Sequence, residues 1–192
     1  MPEGIQLLVG LGNPGARYEQ TRHNVGFWLV DALAQQSEAV FKASRQHHGE
    51  LAQIHVAGQR CWLLKPTTYV NRSGDAVMSL LNYYKIPLRQ MAVVHDDLDL
   101  PPGQVKLKFG GGHGGHNGLR HICAVSGDSD FYRIRLGIGH PGHRDEVTNY
   151  VLSRPSREDQ QQIMTAIDEV LACMPEIMTG DMDKAMQKLH TK

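Results

Sequence analysis

The chain has 192 residues, 41% of them hydrophobic, with 20 basic side chains against 20 acidic ones. That length fits one compact domain over residues 1–192, and the neutral balance excludes a global field that would draw the protein to nucleic acid or membrane, while leaving room for a local basic patch. Cys61, Cys123 and Cys173 lie far apart without a CxxC pair and read as reduced structural thiols; the polar start Met1-Pro2-Glu3-Gly4 and apolar runs well short of ~18 residues point to a soluble, cytoplasmic protein with no signal peptide or membrane span.

Residues 5–9 form an apolar run that reads as a buried first strand, followed by the loop Gly10-Leu-Gly-Asn-Pro-Gly15. Its G-x-G-x-x-G spacing imitates a dinucleotide fingerprint. Pro14 argues against that, because it removes a backbone N–H from a loop whose purpose would be to offer N–H groups to a pyrophosphate. The helical pattern also starts only near Asn24, and Asp31 falls inside that helix instead of ending a second strand. The loop is expected to present side chains instead: Asn13, Tyr18, His23 and Asn24.

Asn24 is predicted to cap a helix that carries Val25, Trp28, Leu29, Ala32 and Leu33 on one face. Residues 51–56 and 61–64 read as a hairpin around Ala57-Gly58. A second helix over Ser73–Tyr84 buries Val77, Leu80, Leu81 and Tyr84, with Pro87 beyond its end. Residues 91–94 are a short apolar run of the kind found in central strands, and the polar His95-Asp96-Asp97 follow where that strand should emerge.

Residues 104–109 and 132–138 alternate as strands, and Asn117 opens a short helix between them. Lys106 and Lys108 share one face of the first, Arg133 and Arg135 one face of the second. Neighbouring strands would make a positive stripe able to track phosphates; the alternative is ordinary solvated strand faces. A long amphipathic helix over 158–178, disturbed late by Pro175, and a short one over 183–189 complete the chain. Strands interleaved with helices predict an α/β fold: a single-domain three-layer sandwich, with helices on both faces of a twisted mixed β-sheet.

Open α/β sheets gather their sites beyond the carboxyl ends of the strands. That rule brings together Asn13 and His23 from the first loop, Thr67-Thr-Tyr-Val-Asn71 from the loop after Leu64, and Asp96 from the loop after Val94. The glycine-rich Gly110-Gly-Gly-His-Gly-Gly-His-Asn117 is a fourth contributor. A histidine takes protons near neutral pH, and does so repeatedly when a carboxylate holds its other ring nitrogen; His23 and Asp96 are the candidate pair. Asparagine amides can donate to a developing oxyanion. Asn71 and Asn117 also stand where helices begin, so each serves as a cap, a substrate contact or both.

Five glycines between 110 and 115 each cost roughly 0.5–1 kcal/mol relative to alanine, which a neutral surface loop would rarely carry. Close approach of a ligand, or a sharp turn packed on other chain, explains them. No G-x-S-x-G elbow and no activated cysteine is present. The histidine pairs His113/His116 and His140/His143 raise zinc as a rival. Both lie in glycine- or proline-containing loops without an HExxH helix, so neither metal nor other cofactor is expected.

Six motifs then stand in order: Gly10-Leu-Gly-Asn-Pro-Gly15, Thr21-Arg-His-Asn24, Lys65-Pro-Thr-Thr-Tyr-Val-Asn71, His95-Asp-Asp-Leu-Asp-Leu-Pro-Pro-Gly103, Gly110-Gly-Gly-His-Gly-Gly-His-Asn-Gly118 and Arg135-Leu-Gly-Ile-Gly-His-Pro-Gly142. Each is weak alone; together they are specific. The chain resembles the bacterial peptidyl-tRNA hydrolases from its first strand to its terminal helices. The resemblance implies a monomeric enzyme, without obligatory protein partner or membrane contact, that cleaves the ester between peptide and tRNA ribose and recycles tRNA after premature drop-off.

It assigns His23 as catalytic base and Asp96 as the carboxylate that stabilises its proton-accepting form. Asn13 matches the residue that separates blocked from free aminoacyl groups. Tyr18, Tyr69, Asn71 and Asn117 match substrate contacts, and Lys108 with Arg135 match a clamp on the tRNA 5′ phosphate. Direct attack by water is expected, with Asn117 or Asn71 on the oxyanion and no covalent intermediate. Two departures stand out: Tyr69-Val70-Asn71 replaces the frequent Phe-Met-Asn, so that the shorter Val70 reshapes the apolar wall, and residues 141–144 vary in the loop after the last strand.

Overall fold

The computed structural model describes residues 3–190; Met1 and Pro2 of the polar start lie outside the described residues. Its strands are β1 (Leu7–Gly10), β2 (Lys42–Ser44), β3 (Gly49–Val56), β4 (Gln59–Pro66), β5 (Met91–Asp97), β6 (Val105–Phe109) and β7 (Tyr132–Gly137). Its helices are α1 (Val25–Gln36), α2 (Ser73–Tyr84), α3 (Asn117–Ser126), α4 (Val147–Val151), α5 (Arg157–Ala172), α6 (Met174–Thr179) and α7 (Met182–His190). The strands make one sheet in the order β2-β3-β4-β1-β5-β7-β6. β4, β1, β5 and β7 run parallel; β2 and β3 pair antiparallel on one side and β6 antiparallel on the other.

Alternation along the central strands sets the layers. In β1, Leu8 joins one core while Leu7 and Val9 join the other; in β5, Ala92 and Val94 part in the same way from Met91 and Val93. The first core is closed by α1, α5, α6 and α7, the second by α2 and α3. Helices therefore cover both faces, and the mixed α/β sandwich expected from the sequence is the observed one. The hairpin turns at Ala57 (φ 52°) and Gly58 (φ 79°), the positive pair that a two-residue connection requires.

Gly10 of the opening motif and Gly26 of α1 have a packing role. A Cβ on Gly10 would stand 2.5 Å from the Gly26 carbonyl oxygen, and one on Gly26 the same distance from that of Val94. Their absence lets α1 lie directly on β1 and β5, which sets the chain just before α1, with His23, at the ends of those strands.

Four expectations are corrected. Tyr84, expected in the buried stripe of α2, is 38% exposed and stacks on Trp62 with ring centroids 4.7 Å apart. Asn24 does not cap α1: no side-chain cap bond forms there, and its amide instead clamps Asn13, accepting from the Asn13 N–H and donating to the Asn13 carbonyl, both at 2.9 Å. The long C-terminal helix is two, broken at Cys173, because Pro175 lacks the N–H to continue α5 but suits the first turn of α6. Arg133 does not belong to a solvated stripe, as described below. No helix among the described residues is long and apolar enough to cross a membrane.

Candidate active site

The carboxyl ends of β1, β4 and β5 open into a cleft of about 770 Å³, which the glycine-rich loop and the segment after β7 also border. Asn13, Tyr18, His23, Tyr69, Asn71, Asp96, Lys108, Asn117 and Arg135 all line it, whereas Asn24, also expected to be presented by the first loop, is buried beneath it.

At its floor His23 Nδ1 stands 2.8 Å from Asp96 Oδ2, and the other carboxylate oxygen, Oδ1, lies 2.8 Å from His116 Nε2. Backbone contacts distinguish the two histidines. His116 Nδ1 accepts from the N–H groups of Gly118 and Leu119 at 3.1 and 3.4 Å, capping α3. Backbone amides only donate, so Nδ1 carries the lone pair and the ring proton sits on Nε2, where it is given to Asp96. Both nitrogens of His116 are spent. His23, by contrast, donates from Nδ1 to Asp96 and keeps the lone pair of Nε2 for whatever enters the cleft.

Electrostatics follow the same division. Burial disfavours the charged form of His23, but the charge of Asp96 and its hydrogen bond outweigh that, so the ring titrates above its ordinary value. Burial pushes the Asp96 carboxyl up, while its electrostatic and hydrogen-bond contacts with His23 and His116 hold it well below the usual carboxylate range. His95, wholly buried behind them, is pushed down to about 4 by burial and by His116. It is neutral at physiological pH and donates Nδ1–H to the Asp96 carbonyl at 2.8 Å.

The amides are oriented by their partners too. Asn13 Oδ1 accepts from the Val70 N–H at 2.8 Å. An oxygen must face that donor, so the Asn13 NH₂ group is turned away from it, with two protons to offer. Asn117 Oδ1 accepts from Arg120 Nη1 at 3.2 Å, which fixes its amide in the same sense. Neither Asn71 nor Asn117 caps a helix: α2 starts after Arg72 without a side-chain cap and takes the His121 ring on its Gly74 N–H, and α3 is capped by His116. Val70 is buried, with a side-chain carbon 3.0 Å from where a Cβ of Gly118 would stand, so this short residue fits where the β4 loop meets α3.

The cationic edge is smaller than the sequence implied. Pairing sets Lys106 opposite Arg135 and Lys108 opposite Arg133 on one face of the sheet. Yet Arg133 is only 2% exposed and holds up the glycine-rich loop, donating to Gly112 O at 2.6 Å and Ser129 O at 3.2 Å. Strand alternation cannot tell a solvated face from one roofed by a loop. Arg135 gives Nε to Asp97 Oδ2 at 2.7 Å, leaving Lys108 as the exposed cation of the cleft without an ion-pair partner among the described residues. Four glycines of the loop, Gly110, Gly111, Gly114 and Gly115, have φ between 58° and 93°, and nothing lies within 4 Å of a Cβ at Gly114 or Gly115. Backbone shape beside an open cleft, more than close packing, requires them.

The zinc reading loses its ligands. His113, His140 and His143 each accept a backbone N–H through Nδ1, from Gly115, Gly142 and Asp145, and so act as turn formers. The ligand atoms of His23, Asp96 and His116 do lie within 4.8 Å of one another. However, His116 Nε2 could bind an ion only by giving up either its proton or the cap on α3, so this donor set is built as a hydrogen-bond chain. His116 itself was visible in the sequence only as half of a histidine pair. Its place immediately before the Asn117 helix was the available signal.

A mixed α/β sheet carrying a carboxylate-held imidazole, with amides and a cation around the same cleft, is equipped for acid–base chemistry of the kind a hydrolase uses. The family model for peptidyl-tRNA hydrolase matches residues 7–192. The peptidyl-tRNA hydrolases of Alkalilimnicola ehrlichii and Neisseria meningitidis serogroup A are each 50% identical over 192 residues, all of this chain and 98% and 100% of theirs. The crystal structure of peptidyl-tRNA hydrolase from Acinetobacter baumannii superposes with a TM-score of 0.96 at 40% identity, covering 100% of this chain and 97% of that one. The chain belongs to the peptidyl-tRNA hydrolase family.

Proposed function

We propose that the chain acts as a monomeric, cofactor-free single domain in the cytoplasm, hydrolysing the ester between a peptide or N-blocked amino acid and the 3′-terminal ribose of tRNA, and so recycles tRNA from peptidyl-tRNA that has dropped off. The observation that carries this reading is the unspent Nε2 of His23, opposite an Nδ1 held 2.8 Å from Asp96. His23 Nε2 takes a proton from water as the water oxygen bonds to the ester carbonyl carbon. The carbonyl electrons become an oxyanion that receives N–H donors from Asn117 or Asn71. Collapse of the tetrahedral species breaks the bond to the ribose oxygen, which takes the proton back from His23. Asp96 stays ionised throughout and stabilises the imidazolium between the two transfers.

Tyr18 and Tyr69, in edge-to-face contact at 6.3 Å, form a wall for the substrate. The Asn13 NH₂ group explains a preference for blocked substrates: an acylated α-nitrogen brings a carbonyl to accept from it, whereas a free ammonium brings only further donors. Lys108, with Arg135, holds the 5′ phosphate. The test is release of free tRNA from an N-acetylated aminoacyl-tRNA in EDTA. Release with EDTA present and little release from the unblocked substrate are expected. No release, loss of activity to the chelator, or equal cleavage of both substrates would overturn the reading.

A further inference from the structure

Arg22 precedes His23 in the same 3-10 turn, Arg22–Asn24, and is only 8% exposed. Its side-chain hydrogen bonds all run to one segment: Nη1 donates to Tyr150 O at 3.0 Å, to Ser153 Oγ at 2.6 Å and, more weakly, to Ser153 O at 3.5 Å. The guanidinium also lies over the Tyr150 ring, 3.8 Å from its centroid, and the Arg22 N–H donates to Ser153 O at 3.0 Å. Tyr150 is tied at its far end as well, where its hydroxyl donates to Ile138 O at 2.6 Å. Through one arginine and one tyrosine, the segment that leaves β7 is fastened at its start and again after α4, and the second fastening is made by the residue next to His23.

That segment is part of the cleft. Val147, Thr148, Val151 and Leu152, from α4 and its end, line it together with His23. All three bonds leave from Nη1, while the guanidinium plane covers the Tyr150 ring; the shorter lysine ammonium has no such plane, so it could keep the bonds only by giving up the stack. We infer that Arg22 is a positioning residue that fixes the α4 wall relative to His23, so that an ester resting on that wall meets Nε2. This rests on the hydrolase reading above. Since near-attack geometry tolerates little displacement, with a misplacement of about 1 Å costing roughly 10²-fold, loosening the fastening should lower turnover while Lys108 and Arg135 continue to hold the tRNA.

The test uses the full chain and N-acetylated aminoacyl-tRNA, with the folded fraction of each variant followed by circular dichroism. Arg22→Lys should lower kcat by about 10-fold with KM nearly unchanged. Ser153→Ala, an exposed site that removes the 2.6 Å acceptor together with the hydroxyl's own bond to Tyr150 O at 2.7 Å, should lower kcat by about 3-fold and remain folded. The double variant should be no worse than Arg22→Lys alone, because both substitutions cut the same contact. Unchanged kcat in both folded single variants, a rise in KM alone, fully multiplicative losses, or losses that only follow the unfolded fraction would overturn the inference. An inactive wild-type chain would instead overturn the hydrolase reading, which keeps the two failures distinct.

Discussion

The two ends of the cleft are built on different plans. Where β1, β4 and β5 end, polar atoms are tied up: Asn24 clamps Asn13, Asn13 holds Val70, and His23 and His116 take one oxygen each of Asp96. Along β6 and β7 the groups are looser, with Lys108 exposed and Arg135 shared with Asp97. Chemistry needs a group held within a fraction of an ångström, and the strand ends supply that rigidity. A phosphate grip needs charge more than position, and an exposed strand edge is enough. Substitutions at the first end should therefore act on kcat and those at the second on KM.

Removing the base tests this most severely. His23→Ala should lower kcat by about 10²–10⁴-fold while tRNA binding persists; near-normal turnover, or lost binding, would erase the contrast between the ends. The pH profile adds a sign. With its pKa raised, His23 is a cation over a wider range, so kcat/KM should climb with pH to a midpoint above about 6.5. The same shift contributes stability that is present at acid pH and lost as pH rises through the folded value. Asp96→Asn removes what raises the pKa and leaves burial, so the limb should move downward as turnover falls.

Next in size is the oxyanion donor. Asn117→Ala and Asn71→Ala should differ, and the one that supplies the donor should lose about 10²–10³-fold in kcat. The fixed amide of Asn117 favours it for the larger loss. Equal, small effects on kcat would leave the oxyanion to a backbone N–H.

Much of this end was legible because its residues sit where strand patterns stop. The apolar run 91–94 implied a central strand, and the polar Asp96 after it implied a site. What escaped reading depended on how side chains are spent. Asn24 carries the residue type and position of a helix cap, yet its amide fits the Asn13 backbone across the loop instead. His116 is a poor cap by composition rules, but it caps α3 and steadies Asp96 at once. Arg133 alternates outward like Arg135, and only the loop folded over it makes it internal. Periodicity reports the direction of a side chain and says nothing of what lies beyond it.

His116 allows its two roles to be separated by stability. His116→Asn keeps a good capping residue but leaves one oxygen of the buried Asp96 without its donor, at a cost of about 1–3 kcal/mol. His116→Ala loses the cap as well and should be about 1 kcal/mol less stable again by urea denaturation. Identical stabilities would mean that the ring does not cap α3 in solution. Because the His23–Asp96 bond survives in both, kcat should fall far less than in His23→Ala.

The smallest effects belong to the edge, and there the sign matters more than the size. Lys108→Ala should raise KM, leave kcat nearly unchanged and flatten the slope of log KM against log salt by roughly 0.7–0.9, the equivalent of one phosphate contact. Asp97→Asn should act in the opposite direction. The carboxylate at 2.7 Å offsets the charge that Arg135 offers to a phosphate, so neutralising it should lower KM by about 1.5- to 5-fold at low ionic strength, the size of a partly exposed charge pair. The gain should fade toward 1 M salt, where screening acts within about 3 Å. A raised KM in Asp97→Asn would mean that the carboxylate matters for aiming Arg135 and not for damping it, and the edge would then share the rigidity of the strand ends.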